Sequence, residues 1–205
     1  RDAASSTRSM ALSGRKRSVM YRCDNVAAAK EATAYLVSQG HERIGLICGL
    51  ATSLLTKDRE FGYRAAMRAA HLDIEDGWVV NGDMTIDGAI RATRSLLNHE
   101  YPPSAIFCTN DEMAIGCLHA IKTSGLQVPE DVSVMGFDDT RYAAVSDPPL
   151  TTIRHPAEEI GERVMYRMCR EIEKGKDSAD AGNQPELVAH RLIVRQSVCP
   201  PRGGK

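Results

Sequence analysis

The sequence lacks an excess of charge of either sign, and it lacks long apolar runs. Its 205 residues carry 26 Lys and Arg against 27 Asp and Glu, which gives a formal net charge of −1. Such a balance gives no overall attraction to nucleic acid or to an anionic membrane, so contact with DNA would need a further segment. No stretch approaches the roughly 18 consecutive apolar residues of a membrane helix, and the first 20 residues lack the apolar core of a signal peptide. We therefore expect no membrane partner and a cytoplasmic location.

Metal-binding and catalytic motifs are also missing. The six cysteines are scattered singly, without a CxxC pair and without histidines at zinc-finger spacing, so we expect no metal site. Four of them lie in segments predicted to be strands or helices, where a free thiol behaves as a small hydrophobe; this favours a reducing compartment. The patterns GxGxxG, GxxxxGK[ST], GxSxG and HExxH do not occur. The sequence predicts a binding protein without a cofactor, and not an enzyme.

What the sequence does contain is a regular alternation of short apolar runs and helical segments. After a helical stretch at about 26–39, a glycine-bounded run at 43–49 is typical of a buried parallel strand. The pattern continues with strands near 78–80, 104–108 and 132–137 and with helices at about 57–71, 86–98 and 111–124. This alternation implies right-handed crossovers and a parallel sheet covered on both faces. We predict an α/β, doubly wound lobe.

The remaining chain is predicted to contain one more helix and one more strand. Residues 148–153 form an extended crossover, and Pro156 is suited to begin a helix that ends near residue 174. A polar loop at 175–185 then leads to a final strand at about 187–195. In the helix at 57–71, the spacing of Phe61, Ala65, Ala69 and Leu72 predicts the face that lies on the sheet.

Ligands of open parallel sheets bind beyond the carboxyl ends of the strands, so polar residues there are the first candidates. Arg59 is predicted in the first turn of a helix, where the macrodipole disfavours a cation, so a carboxylate partner is expected. Asp138, after a neighbouring strand, could be that partner, and the pair could hold vicinal hydroxyls. The alternatives are a surface pair of Arg59 with Asp58 or Glu60, and a turn-forming role for Asp138.

Three further residues have two interpretations each. Asn110 could present its amide to a ligand, or it could cap the helix that follows it. Met84 could form an apolar wall against a ring, or it could be an ordinary packed methionine. We interpret His155, beside the crossover, as a structural residue.

Five segments occur together in one order: GHERIGLI at 40–47, REFGY at 59–63, NDEMAIG at 110–116, VPEDVSVMGFDD at 128–139 and PLTTI at 149–153. In this order and spacing, from about Asp24 to Arg195, the chain closely resembles the effector-binding region of LacI/GalR-type bacterial transcriptional repressors. The resemblance implies a two-lobed core of the periplasmic-binding-protein type I kind, which forms a homodimer. It also implies that a sugar or nucleoside effector binds between the lobes, and that operator DNA is contacted only by an N-terminal helix-turn-helix headpiece, which we expect to be absent here.

The resemblance also implies roles for individual residues. Arg59 matches the arginine that clamps the ligand, and Asp138 matches the first aspartate of the G-[FY]-D-[DN] motif. Asn110 is at the polar position before the aspartate of the N-D-x-M-A motif. Met84 stands where relatives often have an aromatic residue that stacks on the ligand, which is a departure. Asp24 matches the aspartate of a D-N motif near the cleft.

The resemblance divides the chain into unequal parts. We predict an irregular lead-in at 1–20, a complete C-terminal lobe at 40–154 and 187–196, a partial N-terminal lobe at 21–39 and 155–186, and a tail at 197–205. Helices of the partial lobe should expose an apolar face. The alternative function is that of a periplasmic sugar-binding protein of an ABC transporter, which shares the lobes.

Overall fold

The structure, a computed structural model, describes residues 21–174 and 186–202. The lead-in predicted at 1–20, the loop predicted at 175–185 and the last three residues lie outside this range. In chain order the elements are β1 (Tyr21–Arg22), α1 (Asn25–Ser38), β2 (Ile44–Cys48), α2 (Leu54–Ala69), β3 (Val79–Asn81), α3 (Ile86–Leu97), β4 (Ala105–Cys108), α4 (Asp111–Thr123), β5 (Ser133–Met135), β6 (Thr152–Arg154), α5 (Ala157–Lys174), β7 (Glu186–Leu187) and β8 (Arg191–Ile193).

The centre of the fold is a parallel four-stranded sheet with the order β3-β2-β4-β5. Leu46 on β2 is level with Val79 on one side and with Phe107 on the other. Successive side chains of a strand point to opposite faces, so β2 places Leu46 in a core with α1 and α2 and places Ile47 in a second core with α3 and α4. The predicted α/β fold with a parallel sheet covered on both faces is confirmed.

Helix α2 differs from its predicted start and its predicted buried face. It begins at Leu54, with Ser53 as the N-cap residue, and its buried positions include Arg59, Gly62, Tyr63 and Met67. Phe61, which was predicted to lie on the sheet, is 63% exposed. The prediction was wrong because the buried face lies one position further along the helix: Gly62 contacts α1, and Tyr63 and Met67 are buried in the core.

Helix α1 belongs to the main body of the protein and not to a second lobe. Ala28, Ala29, Ala32 and Leu36 are completely buried, and they share a core with residues of β2 and β4. A Cβ atom on Gly62 of α2 would lie 2.4 Å from the carbonyl oxygen of Val26, so the two helices pack backbone to backbone. The boundary that the sequence placed at residue 40 therefore lies before α1.

The predicted crossover and the C-terminal segment lie along the β5 edge of the central sheet. Parallel bridges join Met135 to Thr151 and Asp138 to Arg154, so β6 continues the sheet beyond β5. Strand β8 then pairs antiparallel with β6, so the last strand does not join as a parallel strand. The tail predicted to begin at residue 197 is also packed: Ser197 is fully buried, its Oγ donates to the carbonyl of Val134 at 2.6 Å, and the carbonyl of Cys199 accepts from Ser133. The complete lobe therefore continues at least to Cys199.

Helix α5 stands apart from both cores. It contacts β1, which pairs with β7, and it leaves large apolar side chains exposed along its length. These exposed residues are Val164, Met165, Tyr166, Met168 and Ile172. In the described part of the chain, no helix is both long enough and apolar enough to cross a membrane. All six cysteines are free thiols, and four of them are buried.

Candidate ligand-binding site

Four parallel strands bring their carboxyl ends to one edge of the sheet, and a cavity of about 230 Å³ lies there. Thr109 directly follows β4, Asp138 follows β5 and Met84 follows β3, while Arg59 reaches the same space from α2. The cavity is lined by Leu55, Thr56, Arg59, Met84, Thr109, Asp138 and His155. This is the edge at which doubly wound sheets bind ligands.

Arg59 is the central residue of the site. Its Nη2 donates to Asp138 Oδ1 at 3.2 Å, its Nε donates to Asn25 Oδ1 at 3.0 Å, and its Nη1 donates to the carbonyl of Thr109. The guanidinium also lies over the ring of Phe137, 3.7 Å from the centroid. Asp138 is thus the partner that the sequence suggested, and the alternative of a surface pair with Asp58 or Glu60 is wrong because Arg59 is buried and pairs with Asp138.

Arg59 does not lie in the first turn of its helix, where the sequence placed it. Since α2 begins at Leu54, Arg59 is its sixth residue and lies beyond the first turn, where the macrodipole acts. The partner is required by burial instead: Arg59 is only 5% exposed, and a buried guanidinium must be paired. Burial lowers the pKa of Arg59 and raises the pKa of Asp138, in each case against the opposing effect of the ion pair.

The backbone at Asp138 is held in an unusual conformation. Asp138 has φ +112° and Asp139 has φ +56°, a region that non-glycine residues rarely adopt. Asp139 is fixed by Arg195 at 2.6 Å and by Arg154 at 2.7 Å, so it points away from the cavity while Asp138 points to Arg59. Strain of this kind persists where surrounding contacts determine the conformation, and it is common at binding sites.

Asp111 supplies one of these surrounding contacts from below the cavity. It is fully buried at the first position of α4, and it accepts from Thr152 Oγ1 at 2.7 Å and from the backbone N–H of Thr140 at 2.6 Å. It thereby ties α4 to β6 and to the loop that follows Asp138. Burial raises the pKa of Asp111 to about 6.

Asn110 is the helix cap, and Met84 lines the cavity. The side chain of Asn110 caps α4, because its Oδ1 accepts from the N–H of Met113 at 2.7 Å. Its Nδ2 lies 3.9 Å from Met84 Sδ, so it contacts the residue that lines the cavity although it does not line the cavity itself. Met84 also passes close to Gly49, where a Cβ would lie 2.1 Å from the sulfur.

Asp24 does not lie where its predicted role requires. It is the N-cap of α1, where its Oδ1 accepts from the N–H of Ala27 at 3.0 Å, and it is not among the residues that line the cavity. The next residue, Asn25, is instead the one that reaches the site, through Arg59. The contact between Asn25 and Arg59 could not be predicted from the sequence, since it depends on how α1 crosses α2.

Four residues that line the cavity were not selected from the sequence: Leu55, Thr56, Thr109 and His155. Thr109 is 1% exposed, and its Oγ1 has no hydrogen-bond partner in the described part of the chain. Its position directly after β4 could have indicated it. His155 was interpreted as structural, but its side chain lines the cavity. Burial, and secondarily Arg59, lower the pKa of His155, so its imidazole is neutral at pH 7.

The described residues contain no group of three or more His, Cys, Asp or Glu side chains that could hold a metal ion. The side chains at the cavity are instead hydrogen-bonding groups and an apolar wall. Such a set suits an uncharged ligand with several hydroxyl groups.

Comparison with known proteins agrees with this geometry. Residues 33–198 match the periplasmic binding protein-like domain family. The chain is 46% identical to the ribose operon repressor of Escherichia coli (strain K12) over 161 residues, which are 78% of this chain and 46% of that protein. It is 38% identical to the transcriptional repressor CytR of the same strain over 174 residues, which are 85% of this chain and 50% of that protein.

The chain belongs to the LacI family of transcriptional regulators. Two solved structures show the same fold: the Escherichia coli transcriptional repressor ascG, with a TM-score of 0.79 and 29% identity, and a LacI family regulator from Mycobacterium smegmatis, with a TM-score of 0.77 and 28% identity. They match 86% and 88% of this chain and 63% and 66% of their own chains. The chain spans about half the length of the two E. coli repressors given above. Those relatives are transcriptional repressors and not enzymes.

Proposed function

We propose that the chain is the ligand-sensing part of a LacI-type regulator and that it binds a neutral sugar, or the sugar of a nucleoside, in the cavity at Arg59 and Asp138. Met84 forms the apolar wall of this site, and Asn110 supports Met84. The ligand stabilises one arrangement of a dimer, and the spacing of DNA-binding headpieces elsewhere in the whole cytoplasmic protein responds to it.

The observation that carries the proposal is the unpartnered hydroxyl of Thr109. A buried hydroxyl without a hydrogen bond costs about 1–3 kcal/mol, so such groups are rare unless a ligand satisfies them. Thr109 lines the same cavity as the Arg59–Asp138 pair, whose carboxylate can accept hydrogen bonds from sugar hydroxyls and whose guanidinium can donate to them. The three groups match the alternating donors and acceptors of a polyol.

The charges at the cavity favour a neutral ligand over a phosphorylated one. The positive charge of Arg59 is balanced by Asp138 at 3.2 Å, and His155 is neutral at pH 7. The cavity therefore has no net positive charge to attract a phosphate group. The 46% identity to a protein named the ribose operon repressor makes D-ribose the first sugar to test.

The test is Thr109→Val, which removes the hydroxyl and keeps the shape of the side chain. D-ribose, D-glucose and adenosine, representing a pentose, a hexose and a nucleoside, would be titrated by NMR into the 205-residue chain. Thr109→Val should weaken the binding of the active compound by about 3–10-fold, since one hydrogen bond is lost. The free energy of unfolding in urea should stay equal or rise by about 1 kcal/mol, since the buried hydroxyl is unpaired in the free protein.

Thr93→Val is the matched control. Thr93 is equally buried on α3, but its Oγ1 donates to the carbonyl of Ala89 at 2.7 Å. This variant should lose about 1 kcal/mol of stability and bind ligand as the wild type does. The proposal is wrong if none of the three compounds binds at millimolar concentration, or if Arg59→Ala, once shown to be folded, still binds.

A further inference from the structure

A second cavity borders the ligand-binding cavity, and two residues line both. This larger space, of about 1010 Å³, lies between the loop after β5, the β6–β8 pair and the first turn of α5. Asp138 and His155 line both cavities. They therefore form the wall between the ligand site and α5.

The backbone of His155 forms hydrogen bonds both to the loop after β5 and to the first turn of α5. Its N–H donates to the carbonyl of Asp138 at 3.3 Å, and its carbonyl accepts from the N–H of Ala157, the first residue of α5, at 2.8 Å. One residue thus joins the loop that carries the ligand-binding carboxylate to the helix. A change in the position of His155 must alter one of these two contacts.

The side chain of His155 has unused hydrogen-bonding capacity. The imidazole is half-buried, and it makes no hydrogen bond within the part of the chain that the structure describes. In its neutral form it offers one N–H donor and one nitrogen acceptor. Thr109, whose hydroxyl is also unpartnered among the described residues, lines the same cavity, so two residues with unused polar groups line one small space.

We propose that His155 is a further ligand-binding residue, which hydrogen-bonds a hydroxyl of the ligand held by Arg59 and Asp138 and so links the occupied cavity to the first turn of α5. The inference rests on the proposed function, since it concerns the same ligand. In this proposal, the bound ligand holds the imidazole of His155 in one position. His155 then holds the first turn of α5 in one position.

Two measurements on the 205-residue chain test this inference. D-ribose titrations by NMR would compare the wild type, His155→Ala, His155→Gln and the control His119→Ala, which removes an exposed histidine of α4 that lines neither cavity. Hydrogen exchange would follow the amides of Ala157 and Ile160, which bond to the carbonyls of His155 and Pro156.

His155→Ala should weaken D-ribose binding by about 3–10-fold, as expected for one lost hydrogen bond, and His155→Gln should restore most of it, because an amide also carries a donor and an acceptor. D-ribose should slow exchange at Ala157 and Ile160 in the wild type and in His119→Ala. At saturating ligand, this protection should be absent in His155→Ala. Circular dichroism would show that each variant is folded.

The outcomes separate this inference from the function on which it rests. If Arg59→Ala abolishes binding while folded His155→Ala binds like the wild type, the site is real and the role of His155 is wrong. If His155→Ala binds weakly but α5 is protected as in the wild type, the contact stands and the link to α5 is wrong. If the wild type does not bind D-ribose while another sugar binds, that sugar replaces D-ribose in the same comparison. Binding by no sugar overturns both proposals.

Discussion

At the scale of single residues, the site is built from charged groups held in places where charge is unfavourable. Arg59 is buried and needs Asp138, while Asp138 occupies a left-handed backbone conformation that Asp139 and its arginines help to fix. Asp111 below them is fully buried, and no cation bonds to it in the part of the chain that the structure describes. Such groups lower stability on their own, so their presence together supports the proposed binding site.

The first prediction concerns the pH dependence that Asp111 imposes. Its folded pKa of about 6 lies above its ordinary value of 3.8, so the folded state holds this proton more tightly than the unfolded state. The stability contributed by the protonated form is fully present below pH 3.8 and is lost as the pH rises through 6. Asp111→Asn should mimic the protonated side chain, with its Nδ2 donating to Thr152 and its Oδ1 accepting from Thr140.

The measurement is the free energy of unfolding of both proteins in urea between pH 4 and pH 8. The free energy of unfolding of the variant should increase relative to that of the wild type as the pH rises. The change across the range should be about 2–3 kcal/mol, since two pKa units correspond to that energy. Comparison at each pH cancels the other groups, including His41 and His155, whose lowered pKa values act in the opposite direction. A constant difference across this range would show that Asp111 does not titrate there.

At the scale of elements, the sequence predicts each strand of the central sheet and each helix to within a few residues, because short apolar runs and turn residues mark them locally. Local signals do not show that Gly62 and not Phe61 faces the neighbouring helix, or that β8 pairs with β6. The residues of the candidate site also fall into two groups, those that local signals predict and those that they do not. The strand-end rule finds Arg59, Asp138 and Met84, whereas the free hydroxyl of Thr109 and the position of His155 depend on packing between distant segments.

The second prediction uses a matched pair of glycines, both within helices. A Cβ on Gly62 would meet the backbone of α1 at 2.4 Å, whereas a Cβ on Gly161 of α5 would meet nothing within 4 Å. Gly62→Ala should therefore separate α1 from α2 and lower the free energy of unfolding by about 3 kcal/mol or more. Gly161→Ala should leave it unchanged or raise it by up to about 1 kcal/mol, as alanine favours the helix.

Urea denaturation of the two variants provides the measurement. Equal stability of both would mean that α1 and α2 do not pack as closely as described, and the assignment of α1 to the complete lobe would then fail. Amide hydrogen exchange tests the same difference between α1 and α5. The amides of α1 should be protected as strongly as those of α4, and the amides of α5 in the free chain should exchange much faster.

At the scale of the whole molecule, the two sides of the ligand cavity differ in completeness. The parallel sheet with α1 to α4 has a buried core on each face, whereas α5 contacts only the short strand β1 strongly and keeps its apolar side chains in solvent. The proposed ligand contacts of Arg59, Thr109 and Asp138 come from the complete side. Since a cleft closed on one side buries less of a ligand, we expect the 205-residue chain to bind sugar weakly, with a Kd well above micromolar.

The last prediction follows from the exposed face of α5. Met165, Met168 and Ile172 are 59%, 51% and 77% exposed, and their spacing of three and four residues places them in one stripe of the helix. An apolar stripe of this kind favours association, so the chain should self-associate in sedimentation velocity as its concentration rises. Met165→Lys with Met168→Lys should shift it towards the monomer, without changing the free energy of unfolding by more than about 0.5 kcal/mol. The control is Leu54→Lys with Val145→Lys, which adds the same charge at two exposed apolar positions outside α5. This control should leave association unchanged. If it reduces association as much as the α5 variant does, net charge and not the α5 stripe controls association.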